Sequence, residues 1–103
     1  MVARLIWSPE ARRDLLEIYI AIGLDNPTAA ERFYTTIEAK ADRLRRHPRL
    51  GPRRPDIRTA ARLLVEGPYL ILFETRPDTD DGPVDAVEIL RVVDGRRDLT
   101  SLV

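Results

Sequence analysis

Residues 8–44 have the sequence SPEARRDLLEIYIAIGLDNPTAAERFYTTIEAKADRL, and this stretch contains the signals for two consecutive helices. Ser8-Pro9 and Asn26-Pro27 each place a capping side chain before a proline at the first helical position, so each pair predicts the start of a helix. Apolar residues then recur at helical spacing: Ala11, Leu15, Ile18, Tyr19 and Ile22 in the first helix, and Ala30, Phe33, Tyr34, Ile37, Ala41 and Leu44 in the second. Because little more than Leu24-Asp25 links the two helices, they should form an antiparallel hairpin.

The segments on either side of this hairpin predict strands. Arg4–Trp7 precedes it, and two apolar runs, Arg62–Glu66 and Tyr69–Glu74, flank the breaker Gly67-Pro68 as in a β-hairpin. Val84–Val93 gives the last strand, whereas residues 49–60 contain Pro and Gly and predict an extended loop. The order β-α-α-β-β-β predicts a single α+β domain over residues 1–103, with an antiparallel β-sheet packed against an N-terminal α-helical hairpin.

Composition limits the class of protein. The chain has 103 residues and no cysteine, so disulfides and thiolate metal sites are excluded. No apolar run approaches the ~20 residues that span a bilayer, and residues 1–7 lack the layout of a signal peptide, so we expect a cytoplasmic protein without membrane contact. The acidic cluster Asp78, Asp80, Asp81 and Asp85 lacks the ligand order of an EF-hand, so we expect a solvated turn, no metal and no cofactor.

Charge is balanced but unevenly distributed. Residues 1–62 hold 13 basic and 8 acidic side chains, whereas residues 63–103 hold 4 basic and 9 acidic ones. The basic excess is greatest between Arg43 and Arg62, where Asp56 is the single acidic residue. Of 17 basic residues 16 are arginine, which binds carboxylate or phosphate with a planar fork, although a GC-rich genome gives the same bias.

Five motifs carry a resemblance to a known family. They are Trp7-Ser8-Pro9-Glu10-Ala11, Asn26 to Phe33, His47-Pro48-Arg49-Leu50-Gly51, Val65-Glu66-Gly67-Pro68-Tyr69, and Val87 to Asp98 with its closing Gly95-Arg96-Arg97-Asp98. In this order they resemble the ParE toxins of the RelE/ParE superfamily of bacterial toxin–antitoxin systems. The resemblance covers nearly the whole chain and implies the same β-α-α-β-β-β fold.

The resemblance implies a toxin that inhibits DNA gyrase by binding, without catalytic residues of its own. RelE-type members of the superfamily instead cleave messenger RNA on the ribosome, and they place an arginine just after the hairpin tyrosine and a tyrosine or histidine in the C-terminal segment. This chain has Leu70 after Tyr69, and no tyrosine or histidine follows Tyr69. ParE sequences often carry histidine before the closing glycine, where this chain has Asp94. RNA cleavage and a non-toxic, partner-binding role remain the alternatives.

His47 is the one histidine and has two interpretations. An imidazole can serve in acid–base chemistry, but His47 lies at a helix end before Pro48, far in sequence from the last strand. A surface histidine favoured by the helix dipole explains the same position.

Four arginines are candidate target contacts: Arg62, Arg91, Arg96 and Arg97. Arginines that follow the last strand can bind protein carboxylates or DNA phosphates, or they can pair with Asp94, Asp98 or Glu88 and hold the tail. Strict alternation places Arg91 mid-strand on the face of Val87, Ile89 and Val93, where it must be paired or reach the rim, and Arg62 is expected to join it.

The resemblance also implies a ParD-like antitoxin whose acidic, amphipathic C-terminal segment folds onto the toxin in a hetero-oligomer. The candidate contacts are two apolar residues off the main stripe of the first helix, Leu16 and Ile20, and the arginines Arg43, Arg46, Arg49, Arg53, Arg54 and Arg58. Ordinary helix surface and sheet packing explain the same residues.

Overall fold

A computed structural model describes residues 2–96 of the chain. The elements are β1 (Arg4–Trp7), α1 (Pro9–Gly23), α2 (Pro27–Asp42), a short 3-10 helix (Arg43–Arg45), β2 (Arg62–Glu66), β3 (Tyr69–Arg76) and β4 (Ala86–Asp94). This order confirms the predicted α+β class. The strand bounds shift slightly, since β3 continues to Arg76 and β4 begins at Ala86 rather than at Val84.

Both predicted helix caps form. Ser8 Oγ accepts a hydrogen bond from the Ala11 amide at 3.0 Å, and Asn26 Oδ1 accepts one from the Ala29 amide at 3.0 Å. Each bond satisfies an amide that the first turn of a helix leaves without a partner. Ser8 also donates to the Leu90 carbonyl at 2.9 Å, so the residue that starts α1 fixes the helix to β4 as well.

The sheet has the strand order β1-β4-β3-β2 and is mixed. β2, β3 and β4 form an antiparallel meander, but β1 pairs with β4 in parallel, with Arg4 opposite Ala86 and Trp7 opposite Ile89. The prediction of a wholly antiparallel sheet is therefore wrong for this one pair. Alternation along a strand determines which of its faces is buried, but it carries no information about the direction of the neighbouring strand.

The main core lies between the helical hairpin and one face of the sheet. Among its fully buried large side chains are Ile37, Leu44, Ile71, Phe73 and Ile89. A large apolar side chain contributes about 1.5–3 kcal/mol when it is buried, so this layer supplies most of the drive for folding. The opposite face carries a smaller cluster, Ile57, Ala61, Leu63 and Leu72, which the loop before β2 helps to build.

A bulge interrupts β4. Leu72 lies opposite Arg91 and Phe73 lies opposite Ile89, so Leu90 is an extra residue between them. The predicted alternation that placed Arg91 on the face of Ile89 is wrong, because the extra residue shifts the register and the residue after Arg91 takes that place in the core.

The loop between α2 and β2 packs closely on the sheet at Gly51. A Cβ atom built on Gly51 would lie 2.4 Å from the Leu63 carbonyl oxygen and 2.8 Å from Cε1 of Phe73. Only a residue without a side chain fits here. Gly51 therefore determines how the loop, and the arginines on both sides of Gly51, approach the sheet.

Candidate functional site

Arg91 is held by α1. Its Nε and Nη2 donate to the Asp14 carboxylate at 2.7 and 2.9 Å, and Asp14 Oδ2 also accepts the Val92 amide at 3.0 Å. The hydrogen bonds to Asp14 raise the pKa of the Arg91 guanidinium. The sequence left open whether Arg91 is paired or reaches the rim, and the structure shows it paired. Asp14 also satisfies a backbone amide of β4 beyond the end of β1.

Arg62 is buried, with 5% of its surface exposed, and it does not join Arg91. It lies on β2, and β3 separates β2 from β4. Its Nη1 donates to the Gly51 carbonyl at 3.2 Å and its Nη2 lies 3.5 Å from Asp80 Oδ1. Burial lowers the pKa of the Arg62 guanidinium. The expectation that Arg62 joins Arg91 is therefore wrong, because β3 lies between their strands; a contact from Arg62 to the target stays a prediction.

Arg96 remains on the surface but has an internal partner. Its side chain is 85% exposed, and its backbone amide and Nε donate to Asp94 Oδ1 at 3.0 and 2.9 Å. Its Nη2 also donates to Asp94 Oδ2, and these hydrogen bonds raise the pKa of the Arg96 guanidinium. Of the two arrangements that the sequence allowed for Arg96, a contact to a target or a pair with a nearby carboxylate, the structure shows the pair with Asp94. Arg97 lies outside the described residues.

The basic segment before β2 is largely neutralised by the loop between β3 and β4. Arg53 pairs with Asp78 at 2.7 Å and with Asp80 at 2.8 Å. Arg49 donates to the carbonyl oxygen of Thr79 at 2.9 Å and to the carbonyl oxygens of Asp81 and Gly82 at 2.8 and 3.0 Å. The two halves of opposite charge therefore meet in the folded chain.

Two further predicted antitoxin contacts also have partners in their own chain. Arg54 pairs with Asp56 at 2.8 Å, and Arg58 lies 3.1 Å from Glu74. Four of the arginines predicted to bind the antitoxin are therefore engaged within the chain: Arg49, Arg53, Arg54 and Arg58. A partner reaches these guanidinium groups only in competition with carboxylates and carbonyls that already occupy them.

Arg43 and Arg46 differ from the other predicted antitoxin contacts. Within residues 2–96 neither makes an ion pair, and both line a hollow of about 350 Å³ together with His47 and Arg45. Arg45 is paired with Asp42 at 3.5 Å. This is a positively charged hollow at the C-terminal end of the helical hairpin, and it is open to an acidic group.

The exposed side of α1 carries a row of large apolar side chains. Leu16, Ile20 and Leu24 are 54%, 52% and 82% exposed and follow one another at intervals of four residues. This spacing puts the three side chains in a row on the side of α1 that points away from the core. The sequence indicates Leu16 and Ile20 as candidate antitoxin contacts. It does not indicate Leu24, because this residue follows Gly23 in the expected link between the helices.

An apolar groove separates α2 from the β2–β3 turn. It has a volume of about 380 Å³, and its walls include Ile22, Phe33, Ile37, Pro68 and Tyr69. Sequence reasoning missed it, because the groove exists only where the β-turn approaches the helix and no local pattern encodes that approach.

The described residues do not assemble the acid–base set of an RNA-cleaving toxin. Tyr69 lines the apolar groove, whereas His47 lines the basic hollow at the other end of α2. Residues 2–96 also contain no group of three or more histidine or acidic side chains able to hold a metal ion, and no helix among them is both long and apolar enough to cross a bilayer.

Comparison with known proteins identifies the family. The model of the family described as "ParE toxin of type II toxin-antitoxin system, parDE" matches residues 5–99. The chain belongs to the ParE toxin family. ParE toxins are in general non-enzymatic, and they belong to toxin–antitoxin systems of the parDE type.

A solved structure shows the same fold as this ParE-family chain. It is described as the chromosomal ParDE TA system from P. aeruginosa, and it has a TM-score of 0.72 at 23% sequence identity. The alignment covers 90% of this chain and 96% of that chain. No curated protein sequence matches at a significant level.

Proposed function

We propose that this ParE-family toxin inhibits DNA gyrase in the cytoplasm by binding to it, and that a ParD-like antitoxin neutralises the toxin by folding onto it. The family match over residues 5–99 carries the proposal. The separation of Tyr69 from His47 favours binding over catalysis, because proton transfer to and from RNA needs such groups around one phosphate.

The proposed target surface is the end of β4 and the turn that follows it, with Arg96 and Arg97 as contacts. The Arg96 guanidinium is exposed but already pairs with Asp94, so a target carboxylate or phosphate would bind it in competition with Asp94. Arg91 is a positioning residue in this proposal, because its pair with Asp14 fixes the strand that carries the turn.

Toxicity without antitoxin tests the target surface. Expression of the wild-type chain should stop growth and induce the DNA-damage response, and purified toxin should inhibit supercoiling by gyrase. The double variant R96A/R97A should lose both effects. The matched control R12A/R13A removes two neighbouring arginines from α1 and should retain them. Ribosome-dependent RNA cleavage by the purified toxin would contradict the proposal, and normal growth at high levels of folded protein would favour a non-toxic binding module.

The proposed antitoxin surface is the apolar row on α1 with the basic hollow beside the end of α2. An amphipathic helix can bury its apolar face on Leu16, Ile20 and Leu24 while its acidic residues reach Arg43 and Arg46. The row exposes large side chains that nothing in residues 2–96 covers, and its burial would supply the affinity, whereas the arginines would favour an acidic partner.

Charge substitution on α1 tests the antitoxin surface. L16E/I20E should weaken binding of the antitoxin encoded beside the toxin gene by at least about 100-fold, because two apolar anchors become charged, and it should leave toxicity intact. L50E/V65E makes the same chemical change at two other exposed apolar residues and should bind normally. Equal binding by both double variants would remove α1 from the interface. R43A/R46A should weaken binding less, and its effect should fade in high salt.

A further inference from the structure

Three guanidinium groups meet the β3–β4 loop from one side. Arg49, Arg53 and Arg62 are close enough for their charges to repel, and this repulsion adds to burial in lowering the pKa of Arg62. Their carboxylate partners are Asp78 and Asp80. Three positive charges thus face two negative ones, and the cluster keeps an excess of positive charge.

The deepest of the three arginines is poorly satisfied. The Nε atom of Arg62 is buried and has no hydrogen-bond partner among residues 2–96, and the Nη2 contact to Asp80 is long at 3.5 Å. A buried donor without an acceptor is costly, so the contacts that Arg62 makes with the loop do not fully satisfy its guanidinium. Asp80 itself has a side chain that is 82% exposed, and it contacts the cluster from the solvent side.

We propose that Arg53 and Arg62 form a carboxylate-binding site beside the loop that Arg49 holds. The β3–β4 loop occupies this site itself and so competes with an acidic segment of a protein partner. The groups now bound there are carboxylates and backbone carbonyls, which are the acceptors that an acidic polypeptide offers. The partner segment displaces the side chains of Asp78 and Asp80 and pairs with Arg53 and the outer nitrogens of Arg62. The inference rests on the proposed function in taking the antitoxin as the natural source of that segment.

The loop need not unfold for this exchange. Arg49 holds it through the backbone carbonyls of Thr79, Asp81 and Gly82, which remain when the side chains of Asp78 and Asp80 are displaced. The site is therefore self-occupied in the free toxin, and weakly acidic proteins should not bind to it. A segment with several adjacent carboxylates replaces both aspartates together and gains from their proximity.

A pair of double variants with the same change of net charge tests the proposal. D78N/D80N removes the tethered carboxylates, whereas D81N/D85N neutralises two aspartates whose side chains make no ion pair within residues 2–96. Binding of a fluorescein-labelled hexaglutamate peptide is measured by anisotropy at low ionic strength. D78N/D80N should bind about three- to tenfold more tightly than D81N/D85N, and adding R53Q to D78N/D80N should abolish the gain. Circular dichroism and thermal unfolding verify that each variant is folded.

Two results would overturn the proposal. Equal affinity of the two double variants would mean that only long-range charge matters. A larger gain for labelled hexauridylate than for hexaglutamate would assign the arginines to nucleic-acid phosphate instead of an acidic polypeptide. The proposed function is tested separately by growth and supercoiling assays of the wild-type toxin, so its failure would leave the result with hexaglutamate unchanged.

Discussion

Replacing Gly51 with alanine should destabilise this toxin far more than one methyl group suggests. The new Cβ would lie 2.4 Å from the Leu63 oxygen and 2.8 Å from both the Leu63 carbonyl carbon and Cε1 of Phe73. Two of these atoms are backbone, and Phe73 is fully buried, so none can turn away at low cost. Overpacking of this kind costs about 1–3 kcal/mol, and the rigid neighbours favour the upper part of that range. For a domain of this size we expect Tm to fall by about 10–20 °C.

Urea unfolding followed by circular dichroism, together with thermal unfolding, measures this loss. Gly23→Ala is the matched control, because its Cβ would meet Ala30 Cβ at an ordinary 3.6 Å at the end of α1. Alanine is the better helix former, so this variant should equal the wild type or gain up to about 1 kcal/mol. A Gly51→Ala protein within about 0.5 kcal/mol of the wild type would refute the close packing of the loop on β2.

Three further predictions follow from single side chains. Asp14→Ala should lower the free energy of unfolding by about 2–3 kcal/mol, because it leaves Arg91 and a β4 amide without partners; a loss below about 1 kcal/mol in urea unfolding would contradict this. Ser8→Ala removes both the α1 cap and the bond to Leu90, so the urea midpoint should fall by the equivalent of about 1–2 kcal/mol, and an unchanged midpoint would argue against the double role. The hydrogen bond from Arg53 lowers the pKa of Asp80 in the folded protein, so wild type should be more stable than Asp80→Asn at every pH above the ordinary pKa of 3.8. This difference in stability should disappear as the pH falls through the lower pKa of the folded state. Urea midpoints from pH 7 to pH 2 test this, and a difference that does not depend on pH would count against the ion pair.

The helices were predictable because their signals are local. The capping side chains of Ser8 and Asn26 act on amides three residues away, and the apolar stripe of each helix repeats within a few turns. The β2–β3 hairpin around Gly67 is equally local, with Gly67 at a φ of +56° in the turn. Sequence patterns at this range identified the elements and, through their order, the fold class.

The arginines were harder to assign because their partners are distant in sequence. Arg91 meets Asp14 across 77 positions, and Arg53 meets Asp80 across 27. The positive charge of residues 1–62 indicated a surface for an acidic partner. Much of this charge is instead neutralised by carboxylates of residues 63–103 within the fold. The bulge at Leu90 reversed the expected faces of β4, since one extra residue changes every later position and composition does not reveal it.

The parallel β1–β4 pair has a consequence for synthesis. The first strand emerges from the ribosome early, but its sheet partner Ala86–Asp94 is made only after all the other described elements. The helical hairpin and the β2–β3 hairpin depend on contacts between residues that are close in sequence, so they can form during elongation. β1 has no sheet partner until β4 has been synthesised. A growing chain therefore cannot complete this fold until translation has passed β4.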